Sequence, residues 1–313
     1  MRFALTLMLL GSLTTTGCAT KAMYSHKPKV AVIAHRGASA YAPENTLVAF
    51  TRAVEMDADY FELDVTLSKD DEIIVIHDLS VDRTTNGTGK VRDLTLAELK
   101  QLDAGSKKDA SFAGEPLPTL EESLVLAKSE GIKVYIEIKN SADDSAILKS
   151  IPKLAESHQA LLPDQAAAAM AQVEASGSAN LLLTRKVIEL VRSMKMQNEV
   201  VIQSFSPIVC LCSLVLAPDL RTEFLGSKSE KHPEEWPTYL LWTNLLGCHG
   251  HNLSNVTLTP ELLKVLHRDG KTVAVYTVDD EADMRRLAEW RVDAIITNKP
   301  DVCLRVLTEM GMR

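Results

Sequence analysis

The chain has 313 residues, of which 46% are hydrophobic and 24% charged, and it carries a net charge of −8. The composition is that of an ordinary globular protein, and the length suits two small domains or one large α/β barrel. The acidic balance excludes the basic stripe that a nucleic-acid partner needs, and past the N-terminus no run is apolar enough to span a bilayer.

The N-terminus is different in kind. Arg2 is followed by an apolar stretch, Phe3 to Leu13, and then by small residues leading to Cys18. This pattern predicts a secretory signal over residues 1–17. Thr15-Thr16-Gly17-Cys18 resembles a bacterial lipobox, with Thr15 where leucine is usual. Cys18 is therefore expected to become the lipidated first residue, followed by a polar tether over 18–28. That implies an exported, membrane-anchored protein of the periplasm or cell surface. Ala19 stands where an aspartate would favour inner-membrane retention, which points to the outer membrane in a Gram-negative host. The remaining cysteines, Cys210, Cys212, Cys248 and Cys303, are too scattered for a disulfide framework and read as buried thiols.

From residue 29 onward, short β-branched runs alternate with helix-period stretches, the pattern of βα units around a parallel sheet. Strands are predicted at 29–35, 60–65, 72–77, 133–139, 199–205, 221–226, 246–253, 272–278 and 293–298. Asn45 is the expected N-cap of the helix after the first strand, and a helix is predicted over 281–290 between the last two strands. Nine segments exceed the eight of a closed (β/α)₈ barrel. Between Val65 and Glu72 there is no room for a crossover helix, so 72–77 is read as a hairpin return strand, with Asp64 opposite His77 and Thr66 opposite Val75. The other eight close a TIM barrel over 29–308. Residues 83–118 form a small insertion after the second barrel strand, and 141–184 an extended segment, helical from Pro163 to about Ala175 and stopped by Gly177.

Strand alternation then sorts the polar residues. Glu62 and Asp64 share one face of their strand, opposite Phe61, Leu63 and Val65, and Glu137 and Lys139 share one face of theirs. His35 closes the first strand and Arg36 begins its loop. All lie at the carboxyl ends of strands, where barrel active sites assemble. Three inward carboxylates repel one another unless a cation or a proton lies among them. An all-oxygen set suits Mg²⁺ or Ca²⁺, while Arg36 and Lys139 suit an anion such as phosphate. His35 and His77 reach the same region from different segments, as a proton acceptor and donor would. Metal, anion clamp and paired imidazoles describe phosphodiester cleavage.

His35-Arg36-Gly37, Pro43-Glu44-Asn45-Thr46, Glu62-x-Asp64, His77-Asp78 and Glu137-x-Lys139 together resemble the glycerophosphodiester phosphodiesterase family. Gln203-Ser204-Phe205, Tyr276-Thr277-Val278-Asp279 and the segment 292–301 extend the resemblance over 29–303. It implies a (β/α)₈ barrel, with Glu62, Asp64 and Glu137 as ligands of one divalent cation, Ca²⁺ or Mg²⁺. It further implies His35 and His77 as the acid/base pair, with Arg36 and Lys139 at the phosphate and Tyr276 against the substrate. The implied reaction releases sn-glycerol 3-phosphate and an alcohol from a glycerophosphodiester, through attack of the substrate's own 2-hydroxyl and a cyclic phosphate. Two positions depart from the family pattern: Tyr276 replaces a usual Trp, and Asn298 a common Asp.

Two other activities use the same residues. A phospholipase-D-type enzyme acting on lysophospholipids or sphingolipids would share the metal and the histidines, and a non-catalytic lipoprotein would only bind phosphate esters. Cys248-His249-Gly250-His251 is a rival metal cluster without further ligands at zinc spacing, although His251 could line the barrel.

Overall fold

A computed structural model describes residues 29–155 and 160–313. The predicted signal, Cys18 and the tether lie outside the described residues. Nine strands are formed among the described residues: β1 (Ala31–Ala34), β2 (Tyr60–Leu67), β3 (Ile73–Val75), β4 (Lys133–Ile138), β5 (Val200–Ser204), β6 (Arg221–Gly226), β7 (Gly250–Ser254), β8 (Thr272–Tyr276) and β9 (Ala294–Thr297). All but β3 run parallel, and β1 pairs with both β2 and β9, which closes an eight-stranded TIM barrel. β3 hangs antiparallel on β2.

Alternation along each strand builds two separate apolar layers. Phe61, Leu63 and Val65 of β2 point outward, buried beneath the helices Leu47–Glu55 and Leu120–Glu130. Phe61 stacks on Phe50 with ring centroids 4.4 Å apart, and its burial contributes ~2–3 kcal/mol. Ile33, Tyr135, Val201, Ala274, Ala294 and Ile296 point inward and fill the barrel. The filled interior raises a floor beneath the polar residues at the strand ends, so the mouth is a shallow site and not a pore.

The hairpin register differs from the expectation. Val65 lies opposite Val75 and Thr66 opposite Ile74, so that Ile76, whose N–H donates to Asp64 O, and not His77, lies opposite Asp64. The turn has three residues, Lys69 to Asp71, closed by Ser68 and Glu72, with Asp71 in the left-handed region at φ 61°. A three-residue loop shifts the pairing by one relative to a four-residue turn. Ile74 and Ile76 consequently pack with Val81, Val91, Leu99 and Leu117, a small separate core beneath the segment that follows.

Two further expectations are corrected. Residues 246–249 do not begin the sixth barrel strand: Leu246 ends the helix Glu235–Leu246, Gly247 caps it in the left-handed conformation, and β7 starts at Gly250. The N-cap of the helix Leu47–Glu55 is Thr46, whose hydroxyl accepts from Ala49 N, while Asn45 sits before it at φ 59°. Among the described residues no helix is long and apolar enough to cross a membrane, and Cys210, Cys212, Cys248 and Cys303 are buried free thiols.

Candidate active site

The residues singled out in the sequence converge on the carboxyl end of the barrel. Glu62 and Asp64 on β2 and Glu137 on β4 are buried, with ligand oxygens all within 4.8 Å of one another. Lys139 Nζ donates to Glu137 Oε1 at 2.6 Å and lies 3.4 Å from Asp64 Oδ1. His35, Arg36, Glu62, His77, Glu137, Gln203 and Tyr276 line one cavity of about 200 Å³.

The charges are not balanced. Burial, then the neighbouring Asp64, pushes the Glu137 carboxyl up to about 7. Burial and the charges of Asp64 and Glu137 hold the Glu62 carboxyl well above its ordinary value. Asp64 goes the other way: burial opposes ionisation, but Lys139 and then Arg36 outweigh it and lower the pKa. The cluster contains one settled carboxylate and two that need either a proton or more positive charge. A hard divalent cation supplies that charge to an all-oxygen donor set, so the residues present fit one. The Arg36 Nε proton is buried without a hydrogen-bond acceptor, although Asp64 Oδ2 lies 3.3 Å away.

Local structure aims these side chains. Arg36 takes a left-handed conformation at φ 55°, followed by Gly37 at φ 78°, where a Cβ would come within 2.6 Å of the Ala49 backbone. This tight turn brings Arg36 N to donate to Glu62 Oε2 at 2.9 Å. Gln203 donates to Glu62 Oε1 at 3.2 Å and is itself oriented by Asn252, which donates to its Oε1 at 2.7 Å. Asn45 clasps Asp64 with two hydrogen bonds, Nδ2 to Oδ2 at 2.8 Å and Asp64 N to Oδ1 at 3.2 Å. The asparagine expected to cap a helix instead orients a carboxylate of the cluster.

The two histidines have different partners. His35 Nδ1 lies 2.8 Å from Asn298 Oδ1, and burial, then Arg36, pulls its pKa down to about 4. His77 Nδ1 lies 2.6 Å from Asp78 Oδ1 and the ring is partly open to solvent. Asp78 is held at about 2, first by the hydrogen bond from Arg83. Arg83 also reaches Glu44, which in turn pairs with Arg36 at 2.9 Å. A continuous ladder of alternating charge thus runs from His77 to the acidic cluster. Arg83 had no motif of its own in the sequence; its position five residues after Asp78 was the only available signal.

Cys248-His249-Gly250-His251 holds no comparable site. The acidic trio is the one group suited to a metal among the described residues. His249 Nδ1 accepts from Thr222 N, outside the strand. His251 does not line the barrel: it points outward, where its Nδ1 meets Tyr239 Oη at 2.8 Å, and Asn252 takes the inward position. His251 shares its face of β7 with the buried Leu253, the single apolar side chain in the strand, which marks that face as the outward one.

A sequence profile of the Glycerophosphoryl diester phosphodiesterase family matches residues 35–302. The chain belongs to this family. It is 34% identical over 285 residues to a glycerophosphodiester phosphodiesterase of Caldanaerobacter subterraneus subsp. tengcongensis, covering 90% of this chain and all of that one. A Bacillus subtilis glycerophosphodiester phosphodiesterase is 32% identical over 319 residues, covering 97% of this chain and 96% of its own. Among solved structures, a glycerophosphodiester phosphodiesterase from Agrobacterium tumefaciens superposes with a TM-score of 0.65 at 28% identity, over 88% of this chain and 99% of that one. An Oleispira antarctica phosphodiesterase, solved with the product sn-glycerol-3-phosphate, shares the fold with a TM-score of 0.70 at 23% identity, over 90% and 97% of the two chains.

Against the family pattern, the two substituted positions find partners. Tyr276 donates from its hydroxyl to Gly226 O at 3.0 Å and packs edge-on against Phe205, with centroids 5.9 Å apart. Its ring walls the cavity while its polar end is tied to the backbone. Asn298 contacts His35 directly.

Proposed function

We propose that this family member hydrolyses glycerophosphodiesters to sn-glycerol 3-phosphate and an alcohol, with one divalent cation and with His35 and His77 as the acid/base pair. One observation carries the reading: Glu62 and Glu137 of a buried acidic trio, short of positive charge, border the same 200 Å³ cavity as two imidazoles with different hydrogen-bond partners. The names of the relatives agree with the substrate class.

Glu62, Asp64 and Glu137 would hold Ca²⁺ or Mg²⁺, which offsets their charge and polarises a phosphoryl oxygen when bound. The chain's own residues do the rest. Arg36 and Lys139 attract the phosphate. One imidazole takes the proton of the substrate's 2-hydroxyl as that oxygen attacks phosphorus, and the other gives a proton to the departing alkoxide. Water then opens the cyclic phosphate with the roles reversed. Release of glycerol 3-phosphate from glycerophosphocholine should vanish with EDTA and return with Ca²⁺ or Mg²⁺. A protein that binds the diester but never turns it over, with any divalent cation, would be a phosphate-ester-binding protein instead.

One observation favours a second substrate class. A groove of about 510 Å³, with Leu148, Phe224, Tyr239 and Trp242 in its walls, shares Phe205 and Leu225 with the cavity. An apolar groove beside the mouth suits the acyl chain of a lysophospholipid. Choline release from lysophosphatidylcholine, measured beside glycerol 3-phosphate release from glycerophosphocholine, separates the two activities.

We also propose export and a lipid anchor on Cys18, on the strength of the sequence pattern. Cys18→Ala should move the protein from the membrane fraction to the soluble one; equal partitioning of both forms would sink the anchor.

A further inference from the structure

Asn298 follows β9 and stands in the middle of a hydrogen-bond chain. Asp279, just after β8, accepts through Oδ1 from Thr297 Oγ1 at 2.9 Å and from Asn298 N at 2.8 Å. Its Oδ2 accepts from Asn298 Nδ2 at 2.6 Å. An ionised carboxylate only accepts, so the amide NH₂ must face Asp279 and the amide cannot turn over. Asn298 Oδ1 then points the other way, 2.8 Å from His35 Nδ1. Ser39 Oγ lies 2.7 Å from the same oxygen and 2.8 Å from His35 O, and gives its single proton to one of them. An amide oxygen also only accepts. The proton of a neutral His35 ring therefore sits on Nδ1, and Nε2 keeps its lone pair for the cavity, which Glu62, Glu137 and His77 also line.

We propose that Asp279 and Asn298 are positioning residues that lock His35 in the Nδ1–H tautomer and so make Nε2 the proton acceptor of the bond-breaking step. The proposal rests on the reading of His35 as a catalytic residue. His77 supplies the contrast, because its Nδ1 meets the carboxylate of Asp78 at 2.6 Å. A carboxylate stabilises a charged imidazolium; an amide oxygen orients the ring with no net charge of its own. In the first step His35 Nε2 takes the hydroxyl proton as the new O–P bond forms. The P–O bond to the alcohol breaks as His77 delivers its proton to the leaving oxygen. Hydrolysis of the cyclic phosphate returns both protons, so the pair is restored over one turnover.

The experiment uses ring ¹⁵N resonances of His35, read beside kcat and KM on glycerophosphocholine with saturating divalent cation. Three variants are compared: Asp279→Asn, which frees the Asn298 amide to turn over; Asn298→Leu, which removes the acceptor; and the exchange D279N/N298D. The exchange keeps the chain of hydrogen bonds: the amide placed at position 279 donates to the carboxylate placed at position 298, which still accepts from His35. It therefore decides wherever a single variant does not fold. Wild type should show protonated Nδ1 and unprotonated Nε2. Each single variant should lose that signature, and kcat should fall about 10- to 100-fold while KM stays within about threefold. The exchange should restore the protonated Nδ1, and because the new carboxylate favours the imidazolium, unprotonated Nε2 and kcat should return together at higher pH than in wild type. An unchanged His35 signature in Asn298→Leu, or a folded exchange variant that restores neither, overturns the proposal. Full activity in His35→Ala would instead overturn the catalytic reading of His35, while the ring resonances still report on the lock.

Discussion

The two sides of the cavity hold the same kind of side chain by opposite means. On the barrel side, Glu62, Asp64 and Glu137 are buried and His35 is half-buried, and His35, Glu62 and Asp64 are oriented by neutral amides: Asn298, Gln203 and Asn45. On the insertion side, His77 is partly exposed and held by charge, through Asp78, Arg83 and Glu44. In a dry interior an extra uncompensated charge is costly, and an amide fixes geometry without adding one. Near solvent, charged pairs are cheap to form but individually weak. The difference predicts a rigid half that tolerates little change and a half that responds to salt.

The largest effects should come from the buried half. Asp64→Asn removes the settled carboxylate and should lower kcat by about 10³-fold or more, with EDTA producing the same loss in wild type. Measured activity within about tenfold of wild type would sink the metal reading. Replacing either histidine by alanine should cost about 10²- to 10⁴-fold, checked with the same glycerol 3-phosphate assay.

Next comes pH-dependent stability of the metal-free protein. Glu137 is raised from 4.5 to about 7 in the fold, so the folded state binds its proton more tightly than the unfolded chain does. That contribution is fully present below about pH 4.5 and is lost as pH rises through about 7. Its size is on the order of 1–3 kcal/mol. Denaturant melts from about pH 4.5 to about 8 should show the loss without divalent cation, and added Ca²⁺ or Mg²⁺ should reverse it. A curve flat with and without cation contradicts the arrangement.

The smallest effect sharpens the comparison from the exposed side. Arg83→Ala leaves Asp78 and Glu44 without their shared partner, yet Arg83 is about half exposed. Stability should change by less than about 1 kcal/mol, while kcat falls about tenfold as His77 loses its bracing. The wild-type rate should decline with ionic strength more steeply than that of Arg83→Ala, because salt screens the ladder only where it is intact. Parallel salt profiles would deny the ladder its role.

Much of this was readable because barrel strands impose a period of two. The alternation in β2 and β4 separates Phe61, Leu63 and Val65 from Glu62 and Asp64, and Ile136 and Ile138 from Glu137 and Lys139, with no knowledge of neighbours. The readings that failed lie where periodicity carries no information. The hairpin register turned on one residue of turn length at Asp71. β7 offers one apolar side chain, Leu253, too little to fix its faces from sequence, and His251, read as able to line the barrel, turns outward while Asn252 faces in. Asn45 has the chemistry of both a cap and a clasp, and only the position of Asp64, 19 residues away, chose between them.

By itself the sequence determined the fold class, because repeated βα units with β-branched strands have one economical closure, and it named the charged residues at the strand ends. The tertiary structure alone decided their partners. Asn298 meets His35 across 263 residues and Arg83 meets Glu44 across 39. Contacts at such separations depend on strand order and loop reach, which no local pattern encodes. Which group closes against each imidazole, Asn298 at His35 and Asp78 at His77, is fixed only once the barrel and its loops are in place.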